Sequence, residues 1–150
     1  MGKPLFVKNT IVINAPATEV WDALVNPKQT KKYMFGCETV SDWKIGSPLL
    51  WKGKHEGKEM VFVKGHIVDM KPAKLLAYTT FDPHSKMEDT MENYLTVTYS
   101  LTSEKGRTTL VVTQGDYNKV AEGKKRYEET YNNGEGWHPI LVQIKSLVES

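Results

Sequence analysis

The stretch WHPILVQIKSLV, residues 137–148, places Trp137, Ile140, Leu141, Ile144, Leu147 and Val148 at steps of three and four, the spacing of one helical face. Gln143, Lys145 and Ser146 fall on the other side. An apolar helical stripe needs a surface to lie on, and most of the preceding sequence reads as β-strand. The expectation is a C-terminal helix laid over a curved antiparallel sheet.

Just upstream, residues 120–131 are again helical in pattern. Asn132, Asn133, Gly134 and Gly136 interrupt that pattern, and Pro139 removes one helical hydrogen bond. This predicts either one long helix kinked near Gly134–Pro139 or two segments, with the kink a candidate gate. Further upstream, strands are expected at 38–43, 49–53, 60–70, 75–81, 94–102 and 108–114, separated by short turns. Gly65 inside the longest of them suggests a bulge or bend. At the N-terminus, residues 5–13 read as a first strand. Pro16 suits the first position of a helix carrying Val20, Trp21 and Leu24, and Asn26 with Pro27 opens a second short helix. The predicted order is one strand, two short helices, six strands and a C-terminal helix. That is an α+β fold in a single domain covering residues 1–150.

Composition narrows the function classes. Of 150 residues, 39% are hydrophobic and 25% charged, ordinary values for a soluble globular protein. The 20 basic and 18 acidic residues nearly balance, and no basic cluster is interleaved with aromatics, so no nucleic-acid partner is expected. The single cysteine, Cys37, excludes an internal disulfide and reads as a packing or surface residue of a reducing compartment. No segment reaches the roughly 18 consecutive apolar residues of a membrane span, and the N-terminus lacks a signal-peptide core. A cytoplasmic protein that does not insert into membranes is expected.

Chemical motifs are sparse. His55, His66, His84 and His138 are dispersed without metal-ligand spacing. No nucleophile elbow or phosphate-binding glycine loop is present. Neither catalytic residues nor metal or cofactor ligands are assigned.

The segment INAPATEVWDALVNP resembles the opening of the START-like (SRPBCC) superfamily, in which a strand runs into an Ala-Pro-x-x-x-Val-Trp helix. More closely, the chain is similar to the family of activators of the heat-shock protein 90 ATPase. Val20-Trp21, Gly65-x-Ile67 before Pro72, Val97-x-Tyr99-x-Leu101, Thr113-Gln114-Gly115 and Gly136-Trp137 before Leu141 carry that likeness in order over nearly the whole chain. It implies a helix-grip fold, in which a bent seven-stranded antiparallel sheet grips the C-terminal helix and a cavity lies between them. It also implies binding of a small apolar or amphipathic molecule, lipid- or polyketide-like. A chaperone-associated stress-response module with a chaperone contact is an alternative, and a cyclase- or aromatase-type enzyme is another. The likeness covers only the domain at the C-terminal end of those co-chaperones.

Strand alternation then selects candidates for the cavity wall. Val97 and Tyr99 share one face of their strand, and Val112 and Gln114 share one face of the next. Trp51, Phe62, Tyr78 and Phe81 are further candidates whose facing is open, because a bulge would flip later side chains. Met34, Phe35 and Trp43 are expected near the mouth, and Trp137, Ile140, Leu141 and Ile144 in the helical roof. Gln114, Tyr99 and His66 would orient a ligand. Taken singly, each aromatic is better read as core filling.

Overall fold

β-Branched residues alternating with polar ones make Val7–Ile13 the first strand, with Val7 and Ile13 at its two ends both buried. The computed structural model describes residues 3–150. In chain order it contains β1 (Val7–Ile13), α1 (Ala17–Val25), α2 (Pro27–Tyr33), β2 (Glu38–Ser41), β3 (Pro48–His55), β4 (Lys58–Lys71), β5 (Leu75–Thr80), β6 (Leu95–Glu104), β7 (Arg107–Gly115), α3 (Gly123–Tyr131) and α4 (His138–Glu149). Short 3-10 turns occur at Met91–Asn93, Tyr117–Lys119 and Asn132–Gly134. All seven strands form one sheet in the order β1-β7-β6-β5-β4-β3-β2, and every neighbouring pair is antiparallel. This is the expected α+β helix-grip architecture.

The two short helices are fixed by local chemistry. The Asn26 side chain accepts a hydrogen bond from Lys28 N–H at 3.0 Å, and Pro27 occupies the first turn, where its missing donor costs nothing. Pro16 does not open α1 from inside. It has ψ 155° and stands just outside as the cap residue, its carbonyl accepting from Val20 N–H at 3.3 Å. Buried threonines tie this corner together. Thr39 Oγ1 donates to Val25 O at 2.9 Å, and Thr30 Oγ1 donates to Cys37 O at 3.1 Å.

The C-terminal region is two helices, the second of the alternatives that the sequence allows. Asn132 and Asn133 adopt left-handed backbone with φ 43° and 56°, which ends α3 and prevents a continuous helix. Pro139 lies in the first turn of α4 and therefore removes no helical bond, contrary to the sequence expectation. Leu141 and Ile144 are fully buried, each contributing about 1.5–3 kcal/mol of burial. Lys145 Nζ reaches the Val12 carbonyl at 2.9 Å, and Glu149 accepts from Asn14 N–H at 2.7 Å, binding α4 along β1.

Gly65 is not itself the bulge. The register shifts fall at Phe62, against β3, and at Val68, against β5. Gly65 is needed for a different reason: a Cβ there would stand 1.7 Å from the Thr79 carbonyl oxygen.

Candidate functional site

Between the sheet and the α3–α4 segment lies a cavity of about 560 Å³, a size suited to a drug-sized molecule. Trp51 of β3, Phe62 and Val63 of β4, Tyr78 and Thr80 of β5, Val97 of β6 and Gln114 of β7 form the sheet side. Opposite them stand Glu129 and Thr130 of α3, then Asn132, Gly136, Trp137 and Ile140. Met34, Phe35 and Cys37, after α2, close one end.

Strand geometry explains this lining. Tyr78 and Thr80 are two residues apart and so share a face, and Val97 pairs directly with Tyr78. Phe62 and Val63 are sequence neighbours that strict alternation would place on opposite faces. The bulge resolves this: Trp51 pairs with Val63 and Lys52 with Val61, so Phe62 is the extra residue. Aromatic rings run in a row across the site. Ring centroids lie 6.1 Å apart for Trp51–Tyr78 and for Tyr78–Tyr99, and 5.8 Å apart for the edge-on Tyr99–Trp137 pair.

Trp137 is held at three points. Its backbone N–H donates to Asn9 Oδ1 at 2.9 Å, its carbonyl accepts from Leu141 N–H, and its indole Nε1–H donates to Gln114 Oε1 at 2.9 Å. Gly136 makes this possible. With φ 49° it adopts left-handed backbone, and a Cβ there would stand 2.5 Å from Asn9 Oδ1.

The polar groups of the site are neutral or peripheral. Burial pushes the Tyr78 and Tyr33 hydroxyls well above the usual tyrosine range, and it raises Tyr99 as well. The Tyr78 and Tyr99 hydroxyls perturb each other's ionisation without meeting hydrogen-bond geometry, and the Tyr99 hydroxyl is buried without a partner. Cys37 is buried at 6% exposure, which raises its thiol and keeps it protonated. Glu129 brings a carboxyl group to the lining and is exposed on α3.

Nine of the candidates read from sequence come together on this cavity: Met34, Phe35, Trp51, Phe62, Tyr78, Val97, Gln114, Trp137 and Ile140. The other seven do not line it. Tyr99, Val112, Leu141 and Ile144 are almost wholly buried and fill the core beneath α4. Trp43 is carried away from the mouth by β2 and sits in the β2–β3 turn, its N–H bonded to Ser41 Oγ. His66 lies beside Thr79, with Nδ1 and Thr79 Oγ1 3.0 Å apart, on the sheet face opposite Tyr78. Phe81 shares that opposite face and stacks on Tyr94 with centroids 4.9 Å apart. Cys37, Val63, Thr80, Glu129, Thr130, Asn132 and Gly136 join the lining without having been expected there. Thr80 follows from alternation once Tyr78 is placed. The α3 residues carry no such signal, because that helix buries none of its residues.

A sheet gripping a C-terminal helix over a lined cavity defines a START-like, SRPBCC-fold protein. The family model described as "Activator of Hsp90 ATPase homolog 1-like protein" matches residues 14–149, and the chain belongs to that family. Among solved structures, ChR145 from Cytophaga hutchinsonii is 38% identical, with a TM-score of 0.76 over 99% of this chain and 97% of its own. NE0264 from Nitrosomonas europaea is 16% identical, with a TM-score of 0.72 over 99% of this chain and 97% of its own. DynU16, from the dynemicin biosynthetic locus, is 16% identical, with a TM-score of 0.70 over 97% of this chain and 47% of its own. No curated protein matches the sequence. No helix among the described residues is long and apolar enough to cross a membrane.

Proposed function

We propose that this protein binds a small apolar or amphipathic molecule in the cavity between the sheet and the α3–α4 segment. One observation carries the reading: about 560 Å³ of space bounded by Trp51, Phe62, Val63, Val97, Trp137 and Ile140, with few polar groups among them. A cavity of that size and lining suits burial of a ligand's apolar surface at about 25 cal/mol per Å². Binding without chemical conversion is the reading favoured over a cyclase or aromatase. Two titratable groups of the lining, Tyr78 and Cys37, are held protonated by burial, and the third, Glu129, stands exposed on α3, which supports that preference.

Nile red, a neutral environment-sensitive dye, tests this. Saturable binding is expected, together with thermal stabilisation of about 2.7 kcal/mol at a hundredfold excess over Kd. Ile140→Trp, which fills the cavity from α4, should abolish the binding while the protein still melts cooperatively. Binding that survives both Ile140→Trp and Thr80→Trp would place the dye elsewhere and reject this site.

A further inference from the structure

We infer that the cavity selects neutral ligands that carry a hydrogen-bond acceptor, such as a ketone or ester carbonyl, and discriminates against carboxylates. This rests on the binding function proposed above and specifies its ligand class. The argument begins at Gln114. An indole N–H can only donate, so the oxygen of the Gln114 amide must face Trp137 Nε1, 2.9 Å away. The amide NH₂ is thereby turned from the indole and has no protein acceptor among the described residues, on a side chain that lines the cavity. Tyr78 gives a second donor. Its side chain lines the cavity, and its hydroxyl, close enough to Tyr99 to perturb that residue's ionisation, makes no hydrogen bond of good geometry to protein among the described residues. Two neutral donors thus stand on the sheet side, where the one further polar residue, Thr80, donates its hydroxyl to Leu95 O.

Charge complements this arrangement. Among the described residues no lysine, arginine or histidine lines the cavity, whereas Glu129 does. At the start of α4, which could otherwise attract an anion, Trp137, His138 and Pro139 offer no free donor. Trp137 N–H is bonded to Asn9 Oδ1, His138 N–H to Glu135 O, and Pro139 has none. A carboxylate entering here would lose its hydration without gaining a cation. A carbonyl would lose less and gain a donor from Tyr78 or Gln114.

Three matched probes separate these terms: diphenylmethane, benzophenone and diphenylacetate, each measured by displacement of Nile red from the 150-residue chain. Benzophenone should bind at least about tenfold more tightly than diphenylacetate. Tyr78→Phe should weaken benzophenone about fivefold, the loss of one neutral hydrogen bond, while diphenylmethane stays within about twofold. Gln114→Met should act in the same sense, with its melting curve recorded because it also strips Trp137 Nε1 of its acceptor. Equal losses for benzophenone and diphenylmethane would overturn the inference, as would tight binding of diphenylacetate, and either result leaves the binding function standing. Absence of displacement by all three, with Nile red itself unbound, would overturn both.

Discussion

Tyr99 shows how a residue with the right chemistry can have the wrong position. Its ring packs between Tyr78 and Trp137, but its hydroxyl is buried and unpartnered, so it costs stability without touching the cavity. Tyr99→Phe is therefore expected to leave stability unchanged or raise it by up to about 1 kcal/mol in urea unfolding, with ligand affinity retained. A loss above about 1 kcal/mol would mean that the hydroxyl is satisfied in solution. Gly136 has the opposite character. Gly136→Ala must fit a Cβ 2.5 Å from Asn9 Oδ1 and 2.9 Å from Val7 Cγ1 on left-handed backbone. A destabilisation of about 1–3 kcal/mol is expected, with the indole–Gln114 contact displaced. A change in tryptophan emission without ligand would report that displacement.

Helices α3 and α4 differ in how firmly they are held. α4 fully buries Leu141 and Ile144, whereas α3 fully buries no residue and is held by Arg126, whose guanidinium donates to Asn93 O at 3.2 Å, by Tyr117 Oη–H to Thr130 Oγ1 at 2.8 Å, and by half-buried Tyr127 edge-on to Tyr117. Amides of α3 and of 131–136 should exchange at least about tenfold faster than those of 141–147, and Arg126→Met should widen the gap. Equal protection would exclude opening at this end. The same contrast explains what the sequence revealed. The succession of strands along the chain and α4 were legible because alternation and the three-four stripe are strong periodic signals, and Asn26-Pro27 marked α2 by its cap chemistry. On the sheet, the facing of wall residues was legible where alternation survived, as at Val97 and Gln114. Around Phe62, the bulge put two successive residues on one face. His66 and Phe81 fell on the other face from Tyr78, which no local pattern distinguishes. The polar α3 contributes lining residues through its place over the site, and that place is set by contacts distant in sequence.

For the molecule as a whole, the buried tyrosines set an alkaline limit. Tyr33, Tyr78 and Tyr99 all have raised folded-state pKa values, caused first by burial. Because the folded values exceed the unfolded ones, their contribution is complete below the ordinary tyrosine pKa of about 10 and is lost as pH climbs beyond it. The melting temperature should hold from neutrality to about pH 9 and fall steeply above about pH 10, with buried phenolate absorbance appearing only as the chain unfolds. Full titration of all seven tyrosines before unfolding would contradict this burial. The sheet order has a further consequence for how the chain is made. β1 lies at the edge next to β7, and Leu5 N–H reaches the Asp116 carboxylate across a separation of 111 residues. The earliest of the strands to leave the ribosome therefore has no partner until nearly all of the sheet has been synthesised. Folding is expected to be slow for a protein of this length, as loop closure precedes the gain from pairing. A nascent chain stalled before β7 emerges should expose an unpaired edge and be sensitive to protease.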